Sequence, residues 1–137
     1  MPGTASSKPL VPGQPTRLLL CRYHGLNGNP RLLIAGTRKI TQGATIIRLA
    51  QQFNALPDQG PGIGPGATAC PADDASRIVA FFASKHAADD PVHVQLWGCR
   101  VVSTSQVLRS AIYAPGERLI RKLDVLTGCP RHRIPCA

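Results

Sequence analysis

The chain has 137 residues, and its 16 Lys and Arg against 7 Asp and Glu give it a formal charge of +9. Hydrophobic residues make up 43%, enough to bury the core of one domain, while 13 glycines and 13 prolines exclude a coiled coil or a helical bundle. No run approaches the roughly 18 to 20 uninterrupted apolar residues of a membrane-crossing helix, so no integral membrane segment is expected. The charge is segregated: residues 1–50 carry seven basic and no acidic side chains, 51–90 two against five, and 91–137 seven against two.

Residues 1–16 contain four prolines with Gly, Ser and Thr between them and no apolar periodicity, and they read as a disordered leader. A single α+β domain is expected over 17–128. Arg17–Tyr23 has strand character, and Gly25-Leu26-Asn27-Gly28-Asn29-Pro30 is dense turn chemistry. Arg31–Ile40 resumes as a second strand, which makes a hairpin. Between Gly43 and Leu56, the apolar residues Ile46, Ile47, Leu49, Ala50, Phe53 and Leu56 recur at helical spacing, with Thr41 as N-cap and Pro57 as terminator. Pro57–Pro71, with four prolines and four glycines, predicts an exposed loop.

Beyond it, Arg77–Ala83, Pro91–Trp97, Arg100–Ser103 and Gln106–Tyr113 read as short strands. Val92, Val94 and Leu96 alternate with His93, Gln95 and Trp97, the pattern of a sheet with one buried face. Pro115-Gly116-Glu117 opens a last helix with Leu119, Ile120, Leu123 and Leu126 on one stripe and Arg118, Arg121 and Lys122 facing out. Residues 129–137 form a short basic tail. The order predicts a mostly antiparallel sheet of about five to six strands with two helices packed on one face.

Five cysteines, Cys21, Cys70, Cys99, Cys129 and Cys136, in so short a chain argue for disulfides in an oxidising compartment, with connectivity left open. Residues 1–9 lack the charged start, apolar centre and cleavage site of a secretory signal. The expectation is an extracytoplasmic protein whose export signal or amino-terminal region precedes this frame, with a reduced cytoplasmic protein as the alternative.

Cys129, His132 and Cys136 have C-x2-H-x3-C spacing, which supplies three of the four ligands of a structural zinc site, although a small loop with a solvated His132 explains it as well. No metal or cofactor is expected. The doublets Asp73-Asp74 and Asp89-Asp90 read as turn solvation rather than acid–base pairs, since neighbours on a strand point to opposite faces. His24, His86, His93 and His132 show no local nucleophile spacing, and no hydrolytic triad is drawn from them. The glycines at 60, 62, 64 and 66 lack the Gly-Lys-Ser/Thr ending of a phosphate-binding loop. Aromatics at 4% are too few for base stacking, so nucleic acid is a weak candidate partner through charge alone.

Cys21-Arg-Tyr-x-Gly-Leu-Asn27, Phe53-Asn-Ala-Leu-Pro57, Cys70-Pro-Ala-Asp-Asp74 and Gly98-Cys-Arg-Val-Val102 fall in an order that resembles a group of secreted or lipid-anchored actinobacterial proteins of uncharacterised activity, over roughly residues 17–126. Where that group commonly has an Asn-Gly turn after the last motif, this chain has Ser103-Thr104-Ser105. The resemblance implies an extracytoplasmic location and a disulfide between Cys70 and Cys99, with Cys21 a further candidate, and it carries no activity. A weaker similarity, to the bacterial subtilisin-inhibitor family, rests on the Asn-Ala-Leu helix end before a Cys-Pro and on a partner cysteine 29 residues later. It implies a rigid loop around Pro71–Asp74 presented to a protease cleft.

The expected function is therefore a non-enzymatic binding domain whose partner is a protein or an anionic polymer. The residues expected to meet such a polymer are Arg17, Arg22, Arg31, Arg38, Arg48, Arg109, Arg118, Arg121 and Lys122.

Overall fold

The computed structural model describes residues 8–23, 25, 34–63, 70, 75–85 and 88–128. Six strands, β1 (Arg17–Tyr23), β2 (Ile34–Ile40), β3 (Arg77–Ala83), β4 (Val92–Gln95), β5 (Val101–Ser103) and β6 (Leu108–Ser110), form one sheet in the order β2-β1-β3-β4-β5-β6. Every neighbouring pair is antiparallel. With helices α1 (Gly43–Asn54) and α2 (Ala114–Leu126), this is the expected α+β architecture.

Alternation along the strands decides which side is buried. Leu18 and Leu20 of β1 stand opposite Phe82 and Ala80 of β3, which continue into Val92 and Val94 of β4 and Val102 of β5. These residues share one apolar core with Ile46, Leu49, Ala50 and Phe53 of α1 and with Leu119, Ile120 and Leu123 of α2, so both helices cover the same face. Phe53 meets Phe82 edge to face, ring centroids 5.8 Å apart. α1 ends at Asn54, three residues before Pro57, and its N-cap is Gln42 rather than Thr41. In α2, Pro115 lies in the first turn and Glu117 places a negative charge against the positive end of the helix dipole. The carboxyl end of α2 crosses β2 so closely that a Cβ on Gly36 would collide with the carbonyl of Thr127.

Three expectations are corrected on this face. Residues 8–16 belong to the fold: Leu10 and Val11 are each 2% exposed and part of the core. The Val11 amide donates to Asn54 Oδ1 at 2.8 Å, Asn54 Nδ2 donates to the Val11 carbonyl at 2.9 Å, and the Thr16 amide donates to the Ala83 carbonyl. Composition alone missed this because two apolar residues between prolines show no period. Arg22 and Arg109 are not surface groups either. Arg22, in register with Ile78 on the helix-covered face, forms a buried ion pair with Asp124 of α2. Arg109, opposite Val102, is 5% exposed and donates through Nη2 to the Lys8 carbonyl at 2.6 Å, holding the amino-terminal segment against β6.

The segment after α1 also departs from a freely exposed loop. The Ser110 amide donates to the Pro57 carbonyl at 2.8 Å, and Gly60 bridges Ile63, so residues 57–63 lie against the β5–β6 end of the sheet. Trp97, expected to alternate outward, lies beyond the end of β4 and packs against the core instead.

Candidate functional site

Among the described residues, both helices share the core on the first face and no helix covers the second. By register, it carries Thr37 and Lys39 from β2, Arg17, Leu19, Cys21 and Tyr23 from β1, and Arg77, Val79 and Phe81 from β3. His93 and Gln95 of β4, Val101 and Ser103 of β5, and Leu108 and Ser110 of β6 complete it. None of the six strands contains an acidic residue. The face is thus apolar where Leu19 and Phe81, 38% and 36% exposed, stand opposite each other, basic at Lys39, Arg17 and Arg77 on β2, β1 and β3, and uncharged on β5 and β6. Leu19 and Phe81 are directly paired, so their exposed surfaces adjoin.

Local geometry fixes several of these groups. The Arg77 guanidinium carbon sits 4.6 Å from the centroid of the Tyr23 ring, a cation–π contact between directly paired residues. The Arg17 guanidinium donates to the Ser84 carbonyl at 3.2 Å. His93 stands opposite Val79 on one side and Ser103 on the other. At this end of the face a cleft of about 370 Å³ opens between Ser76, Arg77, His93, Gln95, Val101 and Ser103. Gln95 Oε1 accepts from the Val101 amide at 3.0 Å, which fixes that side chain across the β4–β5 junction.

Near the Val101 wall of the cleft lies the Cys70–Cys99 disulfide, since a Cβ on Gly62 would meet both Cys99 and Val101; its Cα atoms are 5.2 Å apart, well within the range a bridge spans. The pairing implied by the actinobacterial resemblance is therefore present. Gly62, with φ +83°, passes over the bridge: a Cβ there would lie 2.9 Å from Cys99 Sγ, and the left-handed conformation suits glycine alone at low cost. Cys21, the further half-cystine candidate, is instead a free buried thiol on the open face, and burial raises its pKa. Cys129, His132 and Cys136 lie outside the described residues. So do Arg31, Asp73, Asp74, His24 and His86.

The remaining basic residues singled out from sequence divide between the two sides of the molecule. Arg48 on α1 and Arg118 and Arg121 on α2 are exposed on the helical layer, with Lys122 half-buried beside them. Arg121 pairs with Glu117 one turn away at 3.3 Å. Arg38, exposed on edge strand β2, belongs by register to the helix side, whereas Arg17 belongs to the open face. The sequence reading missed Lys39, Arg77 and His93 as a group, although their alternation with buried residues in β2, β3 and β4 carried the signal.

The acids after β3 lie outside the strands, with Asp90 near enough to His93 to interact with it. Asp90 Oδ2 accepts hydrogen bonds from both the amide and the hydroxyl of Ser105, and these bonds, with a smaller contribution from His93, hold its pKa below the ordinary carboxylate value. Asp89 is shifted the opposite way by desolvation, and its Oδ2 is buried without a hydrogen-bond partner. Among the described residues no helix is long and apolar enough to cross a membrane, and no group of three or more His, Cys, Asp or Glu is placed to hold a metal ion. Comparison of the chain with family models, with curated proteins and with solved structures finds no match.

Proposed function

We propose that this is a non-enzymatic binding domain of an extracytoplasmic protein and that it takes a polyanionic partner on the open face of its sheet. The observation that carries this reading is the face itself: Arg17, Lys39, Arg77 and His93 share it with exposed Leu19 and Phe81, with no carboxylate on any strand. Such a field attracts anions, and its apolar pair gains from being covered. The disulfide supports a location outside the reducing cytoplasm, in line with the actinobacterial resemblance. Binding rather than catalysis is favoured because the convergent groups are cations and neutral hydrogen-bonding side chains.

The test is affinity for a soluble anionic polymer such as heparin between 50 and 200 mM salt. Three or four cation contacts predict a loss of roughly tenfold or more across that range, and Lys39→Glu should weaken binding further without altering the unfolding midpoint. Salt-indifferent binding, or a Lys39→Glu protein that binds as before, removes the polyanion reading.

One observation favours a second reading. The bridge anchors Cys70 immediately ahead of Pro71–Asp74, as the subtilisin-inhibitor likeness requires, although 71–74 lie outside the described residues. That reading predicts stoichiometric loss of subtilisin activity that disappears when the disulfide is reduced.

A further inference from the structure

We propose that the cleft beside the Cys70–Cys99 bridge binds a single oxyanion group, a carboxylate or a phosphate, through Arg77 and His93. The inference rests on the open-face reading and goes beyond it by naming a subsite and its ligand chemistry. The cleft, about 370 Å³, has Arg77, His93, Gln95, Ser76 and Ser103 in its lining and, among the described residues, no Asp or Glu. A planar guanidinium presents paired N–H donors that match the oxygens of carboxylate and phosphate. Arg77 is already oriented over Tyr23, so part of the entropy of ordering it is lost before a ligand arrives. Asp90, three residues before His93, accepts hydrogen bonds from the amide and hydroxyl of Ser105 and is not among the residues lining the cleft.

The disulfide belongs to the same device. Among the described residues only two that are not glycine adopt positive φ, Ala75 at +67° and Arg100 at +52°. Arg100 directly follows Cys99, and Ala75 lies between Cys70 and the cleft residues Ser76 and Arg77. Sparsely populated backbone conformations persist where the surroundings over-determine them, and they gather at ligand sites. The bridge joins the chain ahead of Ser76 and Arg77 to the chain ahead of Val101 and Ser103. Oxyanion affinity is accordingly tied to the oxidised state.

The experiment is an NMR titration of isotopically labelled, oxidised protein with inorganic phosphate and, separately, with acetate, at constant ionic strength set by chloride. Saturable shifts of the Arg77 and His93 side-chain signals, with Arg48 unmoved, are expected, and the stronger of the two arms identifies the preferred group. Arg77→Gln should weaken binding about tenfold or more, as loss of a charge-assisted contact does. His93→Gln should weaken it less. Reduction of the bridge should weaken it comparably while the amide signals of Phe53 and Val102 report an intact core. If reduction unfolds the chain, the two substitutions in oxidised protein still decide the matter. Absence of saturable shifts, or shifts untouched by Arg77→Gln, overturns the cleft proposal. Polymer binding that persists beside a silent cleft sinks this inference alone, whereas loss of both sinks the open-face reading as well.

Discussion

The two faces of the sheet are built from alternate residues of the same strands, yet they obey different rules. On the covered face Leu18, Leu20, Ile78, Ala80, Val92, Val94 and Val102 are 1% exposed or less, and Arg22 and Arg109 are buried against specific partners, Arg38 on edge strand β2 alone remaining exposed among its arginines. On the open face Cys21 and Val79 are buried outside the main core, while their neighbours Leu19 and Phe81 remain exposed. A sheet needs one well-packed side to fold, and the other is then free to carry charge and unspent apolar surface. Stability and recognition are thus separated by a single step along the chain, so a substitution at one position can test either without the other.

The largest contrast is between two phenylalanines. Phe53→Ala, which empties a fully buried site beside Phe82, should cost about 3–5 kcal/mol in denaturant unfolding. Phe81→Ala on the open face should cost no more than about 1 kcal/mol. Comparable losses would mean that the open face is packed in solution, and by itself. Next come the ion pairs. Asp124→Asn removes the carboxylate that neutralises buried Arg22 and should destabilise by about 3–5 kcal/mol, whereas Glu117→Gln breaks an exposed pair and should change stability by about 0.5 kcal/mol or less. If the two variants unfold together, the Arg22–Asp124 pair does not tie α2 to the sheet as described.

The smallest effect separates two adjacent acids by pH. Asp90 has a folded pKa below its unfolded value, so its contribution is present above the ordinary carboxylate pKa and is lost as pH falls through the folded one. Asp89 has the opposite shift: its stabilising protonated form holds below the unfolded pKa, and that benefit is lost as pH rises through the raised one. At neutral pH, Asp90→Asn should therefore lower the unfolding midpoint and Asp89→Asn should raise it, with both differences shrinking in acid. Equal displacement of the two midpoints in the same direction contradicts these assignments.

Much of the fold was legible because the signals were periodic. β1 and β3 match their expected limits, Arg17–Tyr23 and Arg77–Ala83, and the apolar stripe of α2 names its core residues. The misses share a cause, namely partners distant in sequence. Arg22 read as a surface charge until its parity with Leu18 and Leu20 met Asp124, which continues the α2 stripe of Leu119, Ile120 and Leu123. Leu10 and Val11 became core only through Asn54 and through Arg109, more than forty and about a hundred residues away. The site was harder still, since Arg77, His93 and Ser103 come from three strands and meet only once the register is known. Charge counted along the chain took in the buried Arg22 and Arg109 beside exposed Arg17, because a count does not distinguish the two sides of a strand.

The buried Cys21 thiol sets an order of events for the oxidation of this chain. It lies between Thr37 and Val79 in the pairing of β1 with its two neighbours, so it is withdrawn from solvent only once β2 and β3 have docked. Until then it competes with Cys70 and Cys99 for the same oxidant, as thiolates exchange with any accessible sulfur. Docking ends that competition in two ways, by enclosing the sulfur and by raising its pKa so that little thiolate remains. Assembly of the sheet before the bridge closes thus removes Cys21 from that competition, and slower assembly is expected to show as mixed disulfides that include Cys21.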